Sequence, residues 1–183
     1  MRYAERSLLL RDGVRCLLRS PIPADAGAML AHRVRTSEET AFMARYGDEI
    51  SQSLEQEETR LERLLADPCA GSVSAFVNGS LVADAGFGPV SPYERYRHRA
   101  ECGISVQRAV WGLGIGSALL AAAIECTTAA GYHQLELEVV EENERAVALY
   151  QKFGFQVYGK RERSFHNRDG TYTAELLMLR SLR

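Results

Sequence analysis

Three glycines in a short apolar run carry the most chemically suggestive spacing in this chain. Val106-Gln-Arg-Ala-Val-Trp111-Gly112-Leu113-Gly114-Ile115-Gly116-Ser117-Ala-Leu-Leu120 passes from a strand pattern, through a glycine-rich loop, into a helix pattern. Glycine tolerates positive φ and lets a ligand approach the backbone closely. The first amides of a helix lack internal partners and sit at its positive end, so such a junction suits a phosphate or pyrophosphate. A P-loop would need Gly-Lys-Ser/Thr, but Gly116 is followed by Ser117 and Ala118, which leaves no lysine for the phosphates. A Rossmann turn would need GxGxxG directly after its strand. Here the third glycine is misplaced and Gln107 to Trp111 intervene, although Glu136 or Glu138 offers the acid that reading requires. A coenzyme A pyrophosphate loop and a turn with no ligand complete the set.

The elements around this loop can be read in order. Arg15 to Arg19 is a strand pattern, Pro23 suits the first turn of a helix, and Ala28, Met29, Leu30 and Val34 follow at helical spacing. Glu38 to Tyr46 has no single pattern, although Phe42, Met43 and Tyr46 share one face if it is helical. Ser53 to Ala66 predicts a helix with Leu54, Leu61, Leu64 and Leu65 inward and its glutamates in water. Ser72 to Val77 and Ser80 to Phe87 predict a hairpin around Asn78-Gly79, a dipeptide suited to a type I′ turn. Gly88 to Arg97 reads as a loop and Arg99 to Val106 as a strand.

Beyond the loop, Gly116 to Ala130 predicts an apolar helix ended by Gly131. Gln134 to Val140 alternates as a strand, and Asn143 caps a helix running to Phe153, with Gly154 past its end. Phe155 to Arg163 and Tyr172 to Arg180 are the last two strands, joined through Asn167 to Gly170. Only the strands flanking the Gly116–Ala130 helix look like a parallel crossover. The expected class is α/β, with a mixed, mostly antiparallel sheet flanked by helices.

The 183 residues, 46% hydrophobic, fit one domain spanning 1–183. A net charge of −2 with interspersed signs argues against a nucleic-acid partner. Short, interrupted apolar stretches give neither a membrane span nor a signal peptide, so cytoplasmic residence is the expectation. Cys16, Cys69, Cys102 and Cys126 form no CxxC pair, and no histidine lies at zinc-like spacing from them. They read as reduced structural thiols, and no metal is expected.

With these residues in place, the chain resembles the GNAT N-acetyltransferase family. Gly114 and Gly116 match the glycines of its Gln/Arg-x-x-Gly-x-Gly/Ala element, while Trp111 stands at the Gln/Arg position, a departure that leaves no side-chain cation there. Leu135 to Val140, followed by Asn143-Glu-Arg-Ala146-Val-Ala-Leu149-Tyr150-Gln-Lys-Phe153-Gly154-Phe155, is similar to the family's strand, helix and Gly-Phe exit. Both blocks occur in the family's order, and the resemblance covers most of the chain.

The resemblance implies acetyl-CoA as co-substrate, an amine attacking its thioester directly in a ternary complex, and no metal. Trp111, Gly112, Leu113, Gly114, Ile115, Gly116 and Ser117 would bind pyrophosphate, Asn143 would help hold the coenzyme, and the Ile104 and Val106 backbone would pair with the pantetheine arm. Tyr150 would protonate the departing thiolate. That transfer is uphill by roughly 2 kcal/mol in water, from a phenol near pKa 10 to a thiol near 8.5. Glu101 is the candidate general base for the amine. The bland alternatives are core packing for Tyr150, simple helix capping for Asn143 and a solvent-facing carboxylate for Glu101. Gly103 reads as a bulge or a splay in its strand. Glu38, Glu39, Phe42, Met43 and Tyr46 form an acidic and aromatic mouth suited to a cationic small-molecule amine, with a protein amine as the narrower case. A non-catalytic acyl-CoA-binding module is the alternative of a different class. A homodimer fits the frequency of two-fold assemblies, and no interface is legible in the sequence.

Overall fold

Asn78 and Gly79 have φ of 50° and 78°, both positive as a type I′ turn requires, and they close the hairpin from which the sheet extends. The structure is a computed structural model describing residues 1–183. Its strands are β1 Arg6–Leu9, β2 Arg15–Arg19, β3 Gly71–Val77, β4 Ser80–Pro89, β5 Arg99–Val106, β6 Gln134–Val140, β7 Gln156–His166 and β8 Tyr172–Ser181. They form one sheet in the order β1-β2-β3-β4-β5-β6-β8-β7. Every pairing is antiparallel except β5 with β6. That parallel pair is joined by a helical crossover, as parallel neighbours require. No helix is long and apolar enough to cross a membrane.

The helices are α1 Ala26–Glu39, α2 Leu54–Ala66, α3 Ile115–Ala129 and α4 Glu144–Lys152. Ser53 opens α2 by accepting from the Gln56 amide while the Gln56 side chain accepts from the Ser53 amide, a capping box. Successive strand side chains point to opposite faces, and β5 shows this directly. Cys102 packs into the large apolar core with Leu119, Leu120 and Tyr150, whereas Ser105 bonds to His32 of α1. So α3 and α4 cover one face, and α1 and α2 cover part of the other.

The structure amends several sequence expectations. β1, which pairs with β2, precedes the first strand expected from the sequence. α1 ends at Glu39, and residues 40–46 are irregular, so Phe42, Met43 and Tyr46 share no helix face. α3 begins at Ile115 rather than Gly116. The buried residues of α1 are Ala26, Met29, His32, Thr36 and Ser37, a stripe more polar than the one expected, while Ala28 is exposed. In α2, Leu54 is exposed and Glu57 is buried, held by Arg33 and Arg60. Cys16, Cys102 and Cys126 are buried free thiols, but Cys69 is exposed. Only the backbone of Cys69 has a structural role, its carbonyl accepting from the Tyr132 hydroxyl at 3.0 Å.

Candidate functional site

The cleft begins where two parallel strands part. β5 and β6 are in register only at Arg99↔Gln134, Ala100↔Leu135 and Glu101↔Glu136, yet β5 stays paired with β4 as far as Val106. The divergence therefore begins beside Gly103, with no bulge in the β4–β5 ladder there. It opens a cavity of about 1210 Å³. The parity of β5 shows which backbone groups face the gap. Arg99 O accepts from Val90 N, and Gln107 N donates to Val82 O, so odd-numbered residues bond toward β4. His98 O accepts from His133 N and Gln134 N, so even-numbered residues face β6. Ile104 and Val106 thus present backbone to the gap, although the Val106 carbonyl is taken by the Trp111 indole N–H at 2.8 Å.

At one end of the cavity lies the glycine loop. Gly112 and Gly114 have φ of 83° and 97°, and Gly114 caps α3. Gly116 is helical with negative φ. A Cβ there would meet Leu149 Cδ2 of α4 at 3.4 Å, close to ordinary van der Waals contact. The first helical bond runs from Ala118 N to Gly114 O, which leaves the Ile115, Gly116 and Ser117 amides for a ligand. Trp111, Gly112, Gly114, Ile115, Gly116 and Ser117 all line the cavity, but Leu113 does not. Leu113 packs instead against the core. A Rossmann turn is excluded, because the sheet is mostly antiparallel and a 3₁₀ turn, Arg108–Val110, separates β5 from the loop.

Two cations that sequence reasoning missed attend this loop. Arg145 lies 5.3 Å and Arg108 5.6 Å from the Trp111 ring centroid, and the Arg145 guanidinium stands beside Gly112. Arg145 follows Asn143 by two residues, inside the second family block, but nothing in one sequence says that α4 returns to the loop.

Asn143 caps α4, its Oδ1 accepting from Ala146 N at 3.2 Å. Its Nδ2 has no partner and the residue lines the cavity. Tyr150 is 7% exposed and packs edge-on against Phe155 at 5.8 Å. Its hydroxyl has no hydrogen bond, yet it is not among the sealed unpartnered atoms, so it opens onto the cavity that the residue lines. Burial pushes the phenol pKa above its ordinary value. The same burial pushes the neighbouring Cys102 thiol up to about 12.

The opposite face of β4 and β5 forms a floor. Gly86 and Gly103 are register partners, and a Cβ on either would meet nothing within 4 Å. Asp84↔Ser105 flanks this bare pair on one side and Gly88↔Glu101 on the other. Glu101 shares its end with Glu136 and Glu138. Glu136 is paired with Arg99, and Glu138 with Arg161. Glu101, an exposed side chain, alone of the three has no ion pair, and partial desolvation, followed by repulsion from Glu138 and Glu136, raises its pKa. At the other end, Asp84 Oδ1 accepts from Ser72 and Ser74, each at 2.6 Å, and its pKa is raised by burial.

The expected acidic mouth does not form. Glu39 bonds to Arg35 and to the Arg108 backbone, and Glu49 and Asp48 are likewise engaged. Glu38 does not line the cavity, whereas Phe42 and Met43 do, together with Arg45. Tyr46 is a strut instead. Its hydroxyl accepts from Arg168 N at 3.0 Å, and the Arg168 guanidinium covers its ring at 3.9 Å, tying the loop after α1 to the β7–β8 turn.

The comparisons agree with this architecture. The family model described as "Acetyltransferase (GNAT) family" matches residues 29–155. The crystal structure of a GNAT-family acetyltransferase from Streptococcus pneumoniae superposes with a TM-score of 0.87 at 32% identity, over 91% of this chain and 99% of that one. A ribosomal-protein-alanine N-acetyltransferase from Brucella melitensis gives 0.78 at 28% identity, over 90% and 98%. An L-methionine sulfoximine/L-methionine sulfone acetyltransferase of Pseudomonas aeruginosa is 28% identical over 88 residues, 48% of this chain. The chain spans about half the length of the curated relatives it matches, 51%. By the family match across most of its length, and with the parted strands and glycine-capped helix in place, the chain belongs to the GNAT acetyltransferase family.

Proposed function

We propose that the chain transfers an acetyl group from acetyl-CoA to the primary amine of a small molecule, by direct attack in a ternary complex. The observation that carries this reading is the parting of β5 from β6, with partnerless α3 amides at one end of the gap and the unbonded Tyr150 hydroxyl facing it. The pyrophosphate sits on the Ile115–Ser117 amides. The pantetheine amides pair with Ile104 and the Val106 N–H, and Asn143 Nδ2 adds a donor. The amine nitrogen attacks the thioester carbonyl and a tetrahedral oxyanion forms. The C–S bond then breaks, with the Tyr150 proton passing to the departing sulfur. Burial raises the phenol pKa, which alone opposes donation, but it raises a thiol beside it as well, as Cys102 shows. The product thiolate is therefore also a stronger base here than in water, so burying both groups leaves the gap between donor and acceptor no wider. Glu101, the unpaired carboxylate of its trio, receives the amine proton directly or through water.

A small acceptor, rather than a protein N-terminus, is the reading carried forward from the sequence. The Pseudomonas relative's name likewise points to a small amine. Titration calorimetry with acetyl-CoA, CoA and NAD tests the cofactor. Micromolar binding of both CoA species without NAD is the expected result, followed by amine-dependent thiol release. Binding without thiol release from any amine would instead mark a non-catalytic acyl-CoA-binding module, and no CoA binding would remove the reading altogether.

A further inference from the structure

We propose that the acceptor is a zwitterion, an amine that also carries a carboxylate-type oxyanion, and that Arg45 and Ser105 form the oxyanion subsite. This inference rests on the acetyltransferase reading and specifies its second substrate.

The first ground is an unmatched cation. Arg45 lines the cavity from the loop after α1 and is only partly exposed, yet it makes no ion pair and no side-chain hydrogen bond. Its neighbours are accounted for. Arg33 and Arg60 both clamp Glu57, Arg33 with two bonds of 3.0 Å, and Asp84 lies in the field of those two arginines. Even with Asp84 ionised, the group holds Arg33, Arg45 and Arg60 against Glu57 and Asp84, one positive charge in excess. A half-buried guanidinium without a partner has lost hydration that nothing in the protein replaces. A bound anion replaces it.

The second ground is a hydroxyl whose proton is forced into the cavity. Gln107 Nε2 donates to Leu81 O at 3.0 Å and reaches His32 Nδ1 at 3.2 Å. The Leu81 carbonyl fixes the amide orientation, since the flipped amide would set oxygen against oxygen. Both Gln107 hydrogens are thereby used, and His32 Nδ1 must accept. A neutral imidazole then carries its proton on Nε2, which lies 2.8 Å from Ser105 Oγ. Ser105 thus accepts from His32, and its own proton is left to donate. Asp84, across the ladder, takes both Ser72 and Ser74 on Oδ1 and makes no bond to Ser105. The Ser105 hydroxyl, which also lines the cavity, therefore offers a donor to whatever lies on the glycine floor.

The third ground is the polarity of that floor. Ser105 and Glu101 lie on one face of β5, four residues apart, about 13 Å along a strand, with bare Gly103 between them. One end supplies the Ser105 hydroxyl and the unpaired Arg45 guanidinium for an anion, with the Asp84 carboxyl there held by Ser72 and Ser74. The other supplies an unpaired carboxylate for an ammonium. A zwitterion lying across Gly86 and Gly103 satisfies both, with its nitrogen over the strand beside the parted gap.

The test compares matched triplets: an α-amino acid, its primary amide and its decarboxylated amine, each built on the methionine sulfone, leucine and phenylalanine side chains. Thiol release gives kcat and KM, and binding of the N-acetyl products to the CoA complex is measured by calorimetry. The expected result is kcat/KM for at least one acid 10- to 100-fold above its amide and amine, the range for a hydrogen bond to a charged group. Arg45→Met brings that ratio close to unity by raising KM for the acid, and Ser105→Ala lowers it by a smaller factor. An unchanged acetyl-CoA affinity in Arg45→Met certifies the fold. Turnover of amides and amines at least as well as acids, or a preference that survives Arg45→Met, overturns the subsite while leaving the acetyltransferase reading intact. Acetyl-CoA binding with neither turnover of an acid nor binding of an N-acetyl acid overturns it as well. Failure to bind acetyl-CoA removes both readings together.

Discussion

Between the Gly112–Ser117 turn and the Gly86–Gly103 floor, one cavity changes from a wall of backbone to a wall of side chains. On the proposed coenzyme side, the parted strand and the α3 amides are the groups left free to bind, and side chains there mostly pack. On the proposed acceptor side, β5 is in register with β4, and Glu101, Ser105, Arg45 and His32 are the side chains to which the proposal gives the chemistry. The difference matches the ligands. A coenzyme common to a family can be held by backbone that tolerates many sequences, whereas an acceptor must be chosen by side chains. Tyr150, at the junction, is the sharpest place to break the comparison. Tyr150→Phe keeps the ring and its edge contact with Phe155 but removes the proton. The expected loss is about 10²–10⁴-fold in kcat, the range for a positioned acid, with acetyl-CoA affinity unchanged by titration. A kcat within threefold of the parent would make Tyr150 a packing residue.

Glu101 probes the acceptor side next. As the proposed base its carboxylate acts only when deprotonated, and its pKa is raised by partial desolvation and by Glu138 and Glu136. The acidic limb of kcat/KM therefore falls at higher pH than for an ordinary glutamate. Glu101→Gln is expected to abolish that limb and lower kcat/KM about 10²-fold. A pH profile identical to the parent's would assign the proton to another group.

The same contrast explains what the sequence could reveal. The coenzyme side is written in local signals: three glycines before an apolar helix, an Asn cap, and a Tyr one turn before Phe153-Gly154. Strand bounds at Arg99–Val106 and Gln134–Val140 were legible to the residue, because alternation and flanking turns define them. The acceptor side depends on contacts distant in sequence. His32 reaches Ser105 across 73 residues and Gln107 across 75, and Arg168 reaches Tyr46 across 122. His32 did leave a trace, since it shares a helix face with Met29 and Thr36 at spacings of three and four. That trace says only that His32 is buried. The acidic mouth failed for the converse reason: Glu39 was visible as a charge, but its partners Arg35 and Arg108 were not.

His32 also lets the acceptor side be tested through stability. Burial, ahead of repulsion from Arg33, lowers its pKa from 6.5 to about 4. Glu39 opposes the shift, and Arg45 and Arg35 add to it. Between those values the unfolded chain binds the extra proton and the folded chain does not. The contribution is therefore complete above pH 6.5 and declines as pH falls toward 4. It amounts to about 2 kcal/mol between pH 7 and pH 5. Thermal melts of the parent should lose Tm over that interval more steeply than those of His32→Gln. Parallel pH dependences would mean that His32 titrates normally in the folded protein.

The smallest expected effect falls on the coenzyme side, where side chains matter least. Trp111 occupies the position from which the family's Gln or Arg would reach the phosphates, and its indole is spent on the Val106 carbonyl. Arg145 approaches the same loop from α4, is exposed, and has no carboxylate partner. If it supplies the missing cation, Arg145→Ala should weaken acetyl-CoA binding about tenfold, the lower range for a charged hydrogen bond at a wet site. The difference between parent and variant should shrink as salt rises, because exposed charges are screened within about 10 Å at 0.1 M. Dephospho-CoA separates the two phosphate groups of the coenzyme. A loss that persists with dephospho-CoA places Arg145 at the pyrophosphate, beside Gly112. A loss that disappears places it at the 3′-phosphate. An affinity unchanged at low salt would mean that the backbone amides hold the phosphates unaided, making the contrast between the two sides of the cleft sharper still.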